Sequence, residues 1–578
     1  MPLLIYGADI NFDEDITIEK LVDIVDDSSW EEFMPKGVTK EMFKDFIKYY
    51  DPEIFVAAGR NIRNAVKSAD ELCPTERVQK IAQLFSCFKN PDKETVLTPW
   101  RVVNMHMGDC LGGYNFYDKE YNEPIEKPRY IDHGKVTEDT FGNKDAKILE
   151  INSKTGLYPL YVTYSIFRSK CANYSEDELT AEIEEKLWNE TVQQNVFIIC
   201  KTPMAKSITK RTLVGFKDVP INSHYFDDLI NMLRNKPKQF IDRVLRPTYW
   251  KMEGVKKMKF DAIVGNPPYQ MIDGGGMGNS AIPLYNKFVE QAKKMSPRYL
   301  SMITPARWYS GGKGLDTFRH DMLNDKSLQL LVDYFDSTIC FPGVDISGGI
   351  CYFLWNKNYT GDCLVRTYRN GIVSTMMRPL LEKDSDTFIR FNEAISIIRK
   401  IRNKNEESFE NIVSVRRPFG INAKVKTSDS QFPNSVFMYS YPRNVYIDKD
   451  EVKTNKDAVD KYKVFIAKAY GERGDFPYLV IGKPFIGLPD TCCSETYLLV
   501  GTYDSAEEAQ NVISYMKTRL FRFLVLFKKN TQNAPKGVYK YVPILDFSRA
   551  WTDKELYEKY ELTEKEIEFI ESMVRPME

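Results

Sequence analysis

The chain has 578 residues, of which 43% are hydrophobic and 28% charged, and its formal net charge at pH 7 is −1. This length is too great for one compact core, so roughly three or four domains are expected. The near-zero charge argues against a protein that coats nucleic acid uniformly, although it allows a local basic face. No apolar stretch reaches membrane-spanning length and the N-terminus lacks a signal-peptide pattern, so we expect a cytoplasmic protein with no membrane partner.

The cysteines give no sign of a metal site. Ten of them are scattered along the chain without a CxxC pair, and there are only four histidines. Structural zinc sites are built from such pairs and from closely spaced histidines. Disulfides are not expected in a chain without a signal peptide. We therefore predict neither a metal site nor a disulfide framework.

Residues 1–95 are predicted to form a helical N-terminal region. Apolar residues recur with the spacing of one helix face in Ile18–Val25 and again in Phe43–Tyr50. Between them, residues 26–30 indicate a turn or a helix start. The region shows no catalytic constellation and could be a helical platform.

Residues 96–370 show an alternation of strands and helices. Thr98-Pro99 before an apolar stretch predicts a helix start. Strands are predicted at 147–151, 196–200, 260–264, 299–303, 330–335 and 350–355. This alternation predicts an α/β fold with a mostly parallel, doubly wound sheet. Ligands of such sheets bind at the carboxyl ends of strands, where Asn152 and Asn266 fall.

The remainder of the chain is predicted to hold a second folded part. Residues 371–411 are interpreted as a linker with a helical segment. Residues 412–578 are rich in Tyr, Phe, Val and short turns, which indicates a mixed α/β domain. Its last stretch, 552–574, is predicted to be an acidic amphipathic helix or helix pair, with a capping box at Thr563–Glu566.

The motif Asn266-Pro267-Pro268-Tyr269 follows the apolar run 260–265 directly. The Asn side-chain carbonyl and the carbonyl of the next residue can accept hydrogen bonds from an exocyclic NH₂ group. The prolines fix φ and remove donors, and the Tyr ring can stack on an extruded base. Pro-Pro also commonly does no more than end a strand. The position after a buried strand favours a site that holds a flat, amine-bearing ring.

The turn after the first strand of the sheet, Glu150–Gly156, is a candidate cofactor site. Nucleotide-type cofactors sit across glycine-containing turns that open a helix. This turn contains one glycine only, so an ordinary strand-to-helix turn is the alternative.

With these motifs in this order, the chain resembles adenine-specific DNA methyltransferases of restriction–modification systems, in which Asn-Pro-Pro-Tyr is the catalytic motif. The segments that carry the resemblance are 97–103, 150–156, 260–270 and 303–309. It implies a Rossmann-like, doubly wound methyltransferase sheet over 96–370. It also implies that 412–578 is a target-recognition domain with C-terminal helices, and that 1–95 is a helical addition.

The resemblance further implies roles for individual residues. Asn266 and the Pro267 carbonyl would hold the target amine, framed by Pro268, and Tyr269 would stack on an adenine flipped out of double-stranded DNA. S-adenosyl-L-methionine would be the cofactor. Its implied contacts are Glu150, Asn152 and Gly156, which line it, Thr98 and Pro99, which cover it, and Asp228, which approaches its adenine unless it only starts a helix.

The sequence departs from the family pattern at the cofactor side. The turn at 150–156 is poorer in glycine than is usual in the family. The acidic residue expected after the second strand, which would bind ribose hydroxyls, is absent at Cys200-Lys201-Thr202. Either another residue supplies it or the affinity for the cofactor is low.

Other functions remain open at this point. The same motif serves methyltransferases that act on RNA bases or on protein glutamine amides. A catalytically weak methyltransferase-like subunit that contributes DNA specificity is a second alternative. The chain shows no nuclease motif and no helicase phosphate loop, so a restriction endonuclease or helicase subunit is a candidate partner.

Overall fold

The structure is a computed structural model that describes residues 1–90, 96–272, 281–383, 385–472, 476–529 and 532–578. The chain divides into two compact units, Met1–Glu382 and Lys383–Glu578. The finer division predicted from the sequence, with boundaries after residues 95, 370 and 411, stays a prediction. Within the described ranges, no helix combines the length and the apolar character needed to cross a membrane.

The N-terminal region is helical, as predicted. Side-chain caps start several of its helices, because Thr17, Asp26, Thr39 and Asp51 each accept a hydrogen bond from a backbone N–H of the first turn. The possible helix start at residues 26–30 is therefore a real one. The helices are α1 (Pro2–Gly7), α2 (Ile18–Ile24), α3 (Asp27–Phe33), α4 (Lys40–Phe46), α5 (Pro52–Ala69), α6 (Pro74–Ser86) and α7 (Trp100–Cys110).

Strands and helices then alternate through the rest of the first unit. The next elements are β1 (Gly113–Tyr117), β2 (Pro124–Ile131), α8 (Lys135–Thr137), β3 (Ile148–Ser153), α9 (Leu157–Cys171), α10 (Ala181–Gln194), β4 (Val196–Cys200), α11 (Pro203–Val214), β5 (Asn222–Tyr225), α12 (Leu229–Asn235), α13 (Pro237–Val244) and β6 (Ala262–Gly265). They are followed by β7 (Gln270–Ile272), β8 (Ala281–Pro283), α14 (Tyr285–Lys294), β9 (Tyr299–Pro305), α15 (Asp316–Leu323), β10 (Leu328–Tyr334), β11 (Ile350–Asn356), β12 (Cys363–Arg369) and β13 (Ile372–Arg378). All six strands predicted for this region are present.

A nine-stranded mixed sheet forms the centre of the first unit, in the order β13-β12-β10-β11-β9-β6-β3-β4-β5. The five strands from β9 to β5 are all parallel. Strand β11 is antiparallel to both of its neighbours, β9 and β10. The predicted α/β class with a mostly parallel sheet is confirmed.

The central strands are buried along their whole length, and β4 and β6 are continuous apolar runs. Every residue of β3, β4 and β6 is buried. Continuous apolar runs of this kind are typical of parallel strands packed between helices. Helix α9, which follows β3, is itself buried along most of its length. The strand ends near the turn at residue 152 are therefore held by a close-packed core.

The strand order reverses between β3 and β6. From β3 the chain moves outward through β4 to β5, then returns to β6 on the other side of β3, with β9 beyond it. Such a switch point leaves a crevice outside the carboxyl ends of the strands, where ligands bind. Asn152 lies at the end of β3 and Asn266 directly follows β6. The turn at 150–156 and the loop at 266–269, the two parts of the predicted site, therefore both lie at the switch point.

The second unit contains two three-stranded sheets and several helices. Its elements are α16 (Asn392–Arg402), β14 (Ser435–Tyr439), β15 (Val445–Asp448), β16 (Tyr462–Ala467), β17 (Phe485–Gly487), β18 (Thr491–Cys493), β19 (Tyr497–Tyr503), α17 (Ala506–Lys517), α18 (Arg519–Leu526), α19 (Asp553–Lys559) and α20 (Glu564–Met573). The sheet orders are β15-β14-β18 and β17-β16-β19. The predicted mixed α/β composition is confirmed. So is the helix pair at the end, where Thr563 and Glu566 form the predicted capping box.

Candidate active site

Two asparagines join the ends of β3 and β6. Asn152 Nδ2 donates a hydrogen bond of 3.1 Å to the backbone carbonyl of Asn266. Asn152 has a φ of 75°, a left-handed conformation that asparagine tolerates better than most residues. Beside it, a Cβ atom on Gly265 would lie 2.7 Å from the Ile151 carbonyl oxygen. The missing side chain thus lets the loop at 266–269 start directly against β3.

The amide nitrogen of Asn266 forms a hydrogen bond, whereas its amide oxygen has no donor among the described residues. Its Nδ2 donates to Thr98 Oγ1 at 2.9 Å. Its Oδ1 is shielded from water and has no hydrogen-bond partner among the described residues. A buried acceptor without a donor loses free energy relative to water. This oxygen is therefore ready to accept a hydrogen bond from a bound NH group.

Tyr269 presents a partly exposed ring above a buried hydroxyl. Burial raises the pKa of this hydroxyl well above its ordinary value, and Cys340 and Cys351 add to the effect, so the ring stays neutral. The Phe341 ring meets it edge-on, with the two centroids 6.4 Å apart. Phe341 was not predicted as a site residue. The sequence feature that could have indicated this residue is the Phe-Pro-Gly turn after β10.

Glu150 lies inside the sheet at the other half of the site. The residue is 5% exposed, and its Oε2 atom has no hydrogen-bond partner among the described residues. Burial raises the pKa of the Glu150 carboxyl to about 8, and a hydrogen bond to Ser153 opposes this only in part. The carboxyl is therefore mostly protonated at pH 7.

A buried histidine fixes the elements beneath the site. His106 on α7 lies 2.7 Å from the Tyr158 hydroxyl through Nδ1 and 2.7 Å from Ser301 Oγ through Nε2. Because Ser301 Oγ donates to the Phe353 carbonyl, His106 Nε2 must be the donor to Ser301. Burial lowers the pKa of His106 to about 3, so the ring is neutral. No local sequence pattern indicates this network, because its members lie far apart along the chain.

A comparison with protein families gives a match in this part of the chain. Residues 194–341 match the family described as Eco57I restriction-modification methylase. That segment runs from β4 to the Phe341 turn and includes the whole Asn266–Tyr269 motif. The chain resembles the restriction-modification methylases. The resemblance predicted from the sequence is thus confirmed.

One curated relative is described as specific for adenine. A protein of Mycoplasma pneumoniae described as an uncharacterized adenine-specific methylase is 44% identical over 112 residues. The aligned part is 19% of this chain and 26% of the relative, so the chain matches about a quarter of that protein's length.

Solved structures of restriction–modification enzymes are similar in backbone at low sequence identity. A nuclease-deletion mutant of the Type ISP enzyme LlaGI, in complex with a DNA substrate mimic, has a TM-score of 0.45 at 11% identity, covering 94% of this chain and 52% of that one. The DrdV–DNA complex has a TM-score of 0.42 at 10% identity, covering 94% and 63%. These scores describe partial agreement of the backbones.

A large cavity lies beside Thr98 and Pro99. The cavity has a volume of about 1210 Å³. Thr98 and Pro99 line it from one side, Thr155 and Leu157 from the turn after β3, and Gly343 and Val344 from the turn that follows Phe341. Through the Thr98 hydrogen bond it adjoins Asn266. Its volume exceeds the range of about 300–1,000 Å³ that is common for small-molecule sites.

Gly156 shapes the turn between β3 and α9. Its φ is +76°, and a Cβ atom there would lie 3.0 Å from the Thr209 Cα and 3.1 Å from the Thr212 Cβ. The turn therefore needs glycine both for its left-handed backbone and for the close approach of α11.

Gly156→Ala is expected to destabilise the protein by about 2–4 kcal/mol, because backbone strain of about 1–2 kcal/mol adds to the crowding against α11. Urea unfolding followed by circular dichroism measures this loss. Gly371→Ala is the matched control, since Gly371 has a φ of +77° with nothing within 4 Å of its Cβ position. Equal losses in the two variants would contradict the close-approach argument.

The sequence predictions for the ends of β4 and β5 concern an absent acidic residue and Asp228. Asp228 is exposed and caps α12 by accepting a hydrogen bond of 3.2 Å from the Asn231 N–H, so the helix-start alternative describes what its carboxylate does here. Its place after β5 still puts it on the ligand edge of the sheet. At the end of β4, Thr202 caps α11, and no acidic residue stands there in the sequence.

Proposed function

We propose that the protein is a site-specific DNA methyltransferase that transfers a methyl group from S-adenosyl-L-methionine to the exocyclic amine of adenine, as the modification part of a restriction–modification system. The observation that carries the proposal is the buried, unpartnered Oδ1 of Asn266 beside the partly exposed Tyr269 ring. An acceptor and an aromatic face at one point suit a flat ring with an amine at its edge.

The sheet supports this proposal. Five parallel strands with a reversal between β3 and β6, followed by the antiparallel β11, suit the Rossmann-like, doubly wound methyltransferase sheet that the resemblance implies. In such a fold the cofactor and the target meet at the switch point. Here Asn152 from the cofactor turn is hydrogen-bonded to the backbone of Asn266.

The chain offers a fitting set of groups for the cofactor. Glu150 has a buried oxygen without a partner, and Gly156 leaves a turn without a side chain. Asn152 completes the turn, Thr98 and Pro99 face the adjoining cavity, and Asp228 follows β5. When bound, the cofactor would supply an electrophilic methyl group on a sulfonium, and the protein would supply alignment.

The target amine would be held by this chain's own acceptors. Asn266 Oδ1 and the Pro267 carbonyl would each accept a hydrogen bond from the NH₂ group, and Pro268 would keep the loop rigid. A neutral adenine amine is a weak nucleophile because its lone pair is delocalised into the ring. Two acceptors favour a tetrahedral nitrogen and stabilise the positive charge that develops on it. The reaction then needs no strong base, and the proton leaves to water after transfer.

Double-stranded DNA would be the substrate, and the adenine must leave the helix to reach Tyr269. The second unit, with its two small sheets, would contain the target-recognition domain. A restriction endonuclease or a helicase subunit would act with this protein at the same recognition site.

Sequencing that maps methylated bases in DNA from cells expressing the chain tests the proposal. We expect methylation of the adenine N6 atom at one recognition sequence, and its loss when Asn266→Ala is expressed instead. Unmethylated DNA, combined with tight binding of the purified protein to S-adenosylmethionine, would overturn the DNA assignment. Transfer to RNA or to a glutamine amide in the same extract would identify the alternative substrate.

A further inference from the structure

A carboxyl group from the N-terminal helices lies at the end of β4, where the sequence lacks an acid. Glu32 is on α3, about 170 residues before that strand. The residue is 4% exposed, and its Oε2 accepts a hydrogen bond of 2.6 Å from Thr202 Oγ1. Thr202 is the second residue after β4. The carboxyl group is thus placed by folding at a position that the local sequence leaves without one.

Helix α3 is fixed in this position by several contacts. Ser29 Oγ accepts a hydrogen bond of 3.1 Å from the Met204 N–H in the first turn of α11. Trp30 Nε1 donates to the Val38 carbonyl at 2.8 Å. Thr202 Oγ1 accepts from the Ala205 N–H, so its only proton is directed to Glu32. The Glu32 side chain is therefore held in one orientation.

The second oxygen of Glu32 has no function within the described residues. Its Oε1 atom is buried and has no hydrogen-bond partner there. If Glu32 only anchored α3, the bond to Thr202 would need only one of its two carboxyl oxygens. A buried carboxyl oxygen without a donor is costly, so its presence points to a ligand that brings donors.

The sheet register shows which part of a ligand this oxygen could reach. Cys200, the last residue of β4, is paired with Ser153 at the end of β3. The carboxyl ends of the two strands therefore lie side by side, and the cofactor turn starts from one of them. In dinucleotide-binding sheets an acid after the neighbouring strand binds the ribose hydroxyls. Burial raises the pKa of the Cys200 thiol, and Glu150 and Glu32 both add to the rise, so both carboxyl groups lie near this thiol.

We infer that Glu32, from the N-terminal helical region, takes the place of the missing acid and accepts hydrogen bonds from the ribose hydroxyls of the cofactor. This inference rests on the proposed function. It makes the N-terminal helices a part of the cofactor site, and it resolves the departure at Cys200-Lys201-Thr202 without a loss of affinity. Removal of α3 would then remove a ligand as well as a support.

The test compares two ligands by calorimetric titration: S-adenosylhomocysteine and its analogue without the two ribose hydroxyls. The wild-type protein is expected to prefer the hydroxylated ligand by at least about tenfold, the size of a hydrogen bond to a charged group. Glu32→Gln and Glu32→Asp are expected to lose most of this preference, the first by removing the charge and the second by withdrawing the oxygen. Glu31→Gln, on the exposed side of the same helix, is the matched control and should keep it.

The ratio of the two affinities separates the outcomes. A purely structural role of Glu32 would weaken both ligands equally and leave the ratio unchanged, which would overturn the inference. A preference retained by both variants at full affinity would also overturn it. If neither ligand binds the wild-type protein, both the proposed cofactor site and this inference are wrong. That result differs from the others because no variant would show binding of any kind.

Discussion

Asn266→Ala is expected to lower kcat/KM for DNA methylation by about 10³-fold or more, which corresponds to about 4 kcal/mol of transition-state stabilisation. The Oδ1 of Asn266 is a buried acceptor without a partner among the described residues, and in the proposed reaction it would face the nitrogen on which positive charge develops. Alanine removes this acceptor. A water molecule cannot take its place, because the position is shielded from solvent. Steady-state kinetics with radiolabelled S-adenosylmethionine and a DNA duplex that carries the mapped site would measure the loss.

The same variant should bind S-adenosylhomocysteine within about threefold of the wild type, because Asn266 Oδ1 is assigned to the target and not to the cofactor. The hydrogen bond of its Nδ2 to Thr98 is lost, which accounts for a small change. Asn235→Ala, an exposed position on α12, should leave both quantities unchanged. An Asn266→Ala protein with normal kinetics would exclude this residue from catalysis.

The sequence could predict those parts of the fold and site that depend on neighbouring residues. Each predicted strand was an apolar run, and such runs are buried in parallel sheets whatever surrounds them. The Asn266–Tyr269 motif was visible because its four residues are consecutive. The pairing of Asn152 with Asn266 could be expected too, since both follow strands whose carboxyl ends share one edge of the sheet.

The rest of the site depends on contacts between distant segments. The partner of Asn266 is Thr98, 168 residues earlier, and the ring that meets Tyr269 is Phe341. Glu32 reaches Thr202 across 170 residues. No local periodicity carries such information, because side-chain meetings of this kind are decided by how helices pack on the sheet. The missing acid after β4 could thus be noticed in the sequence, while its candidate replacement could be found only in the structure.

The contribution of Glu150 to the stability of the protein is expected to fall as pH rises from about 4.5 to 8, while buried His106 acts in the opposite direction below pH 6.5. In the unfolded chain its carboxyl ionises near the ordinary pKa of 4.5, whereas burial holds the folded-state pKa at about 8. Between these values the folded state retains a proton that the unfolded state has lost, so increasing pH favours unfolding. The full difference is on the order of 4–5 kcal/mol and is reached above pH 8.

Urea midpoints at pH 5 and pH 8 measure this contribution. Glu150→Gln cannot ionise, so the free energy of unfolding of the wild type, relative to that of this variant, should decrease from pH 5 to pH 8. Glu176→Gln, an exposed substitution of the same kind, should follow the wild type. Parallel changes in the wild type and in Glu150→Gln would mean that this carboxyl does not titrate as its burial indicates.

The same proton provides a test of whether Glu150 faces the cofactor. A ligand that brings a cationic ammonium group next to the Glu150 carboxyl would favour its ionised form, because an opposite charge nearby lowers the pKa of an acid. At pH 7 the carboxyl starts mostly protonated, so binding of S-adenosylhomocysteine should release nearly one proton. Titrations in phosphate and in Tris, whose ionisation enthalpies differ, count the protons released. Glu150→Gln should release none, whereas equal release by both proteins would place the ammonium group elsewhere.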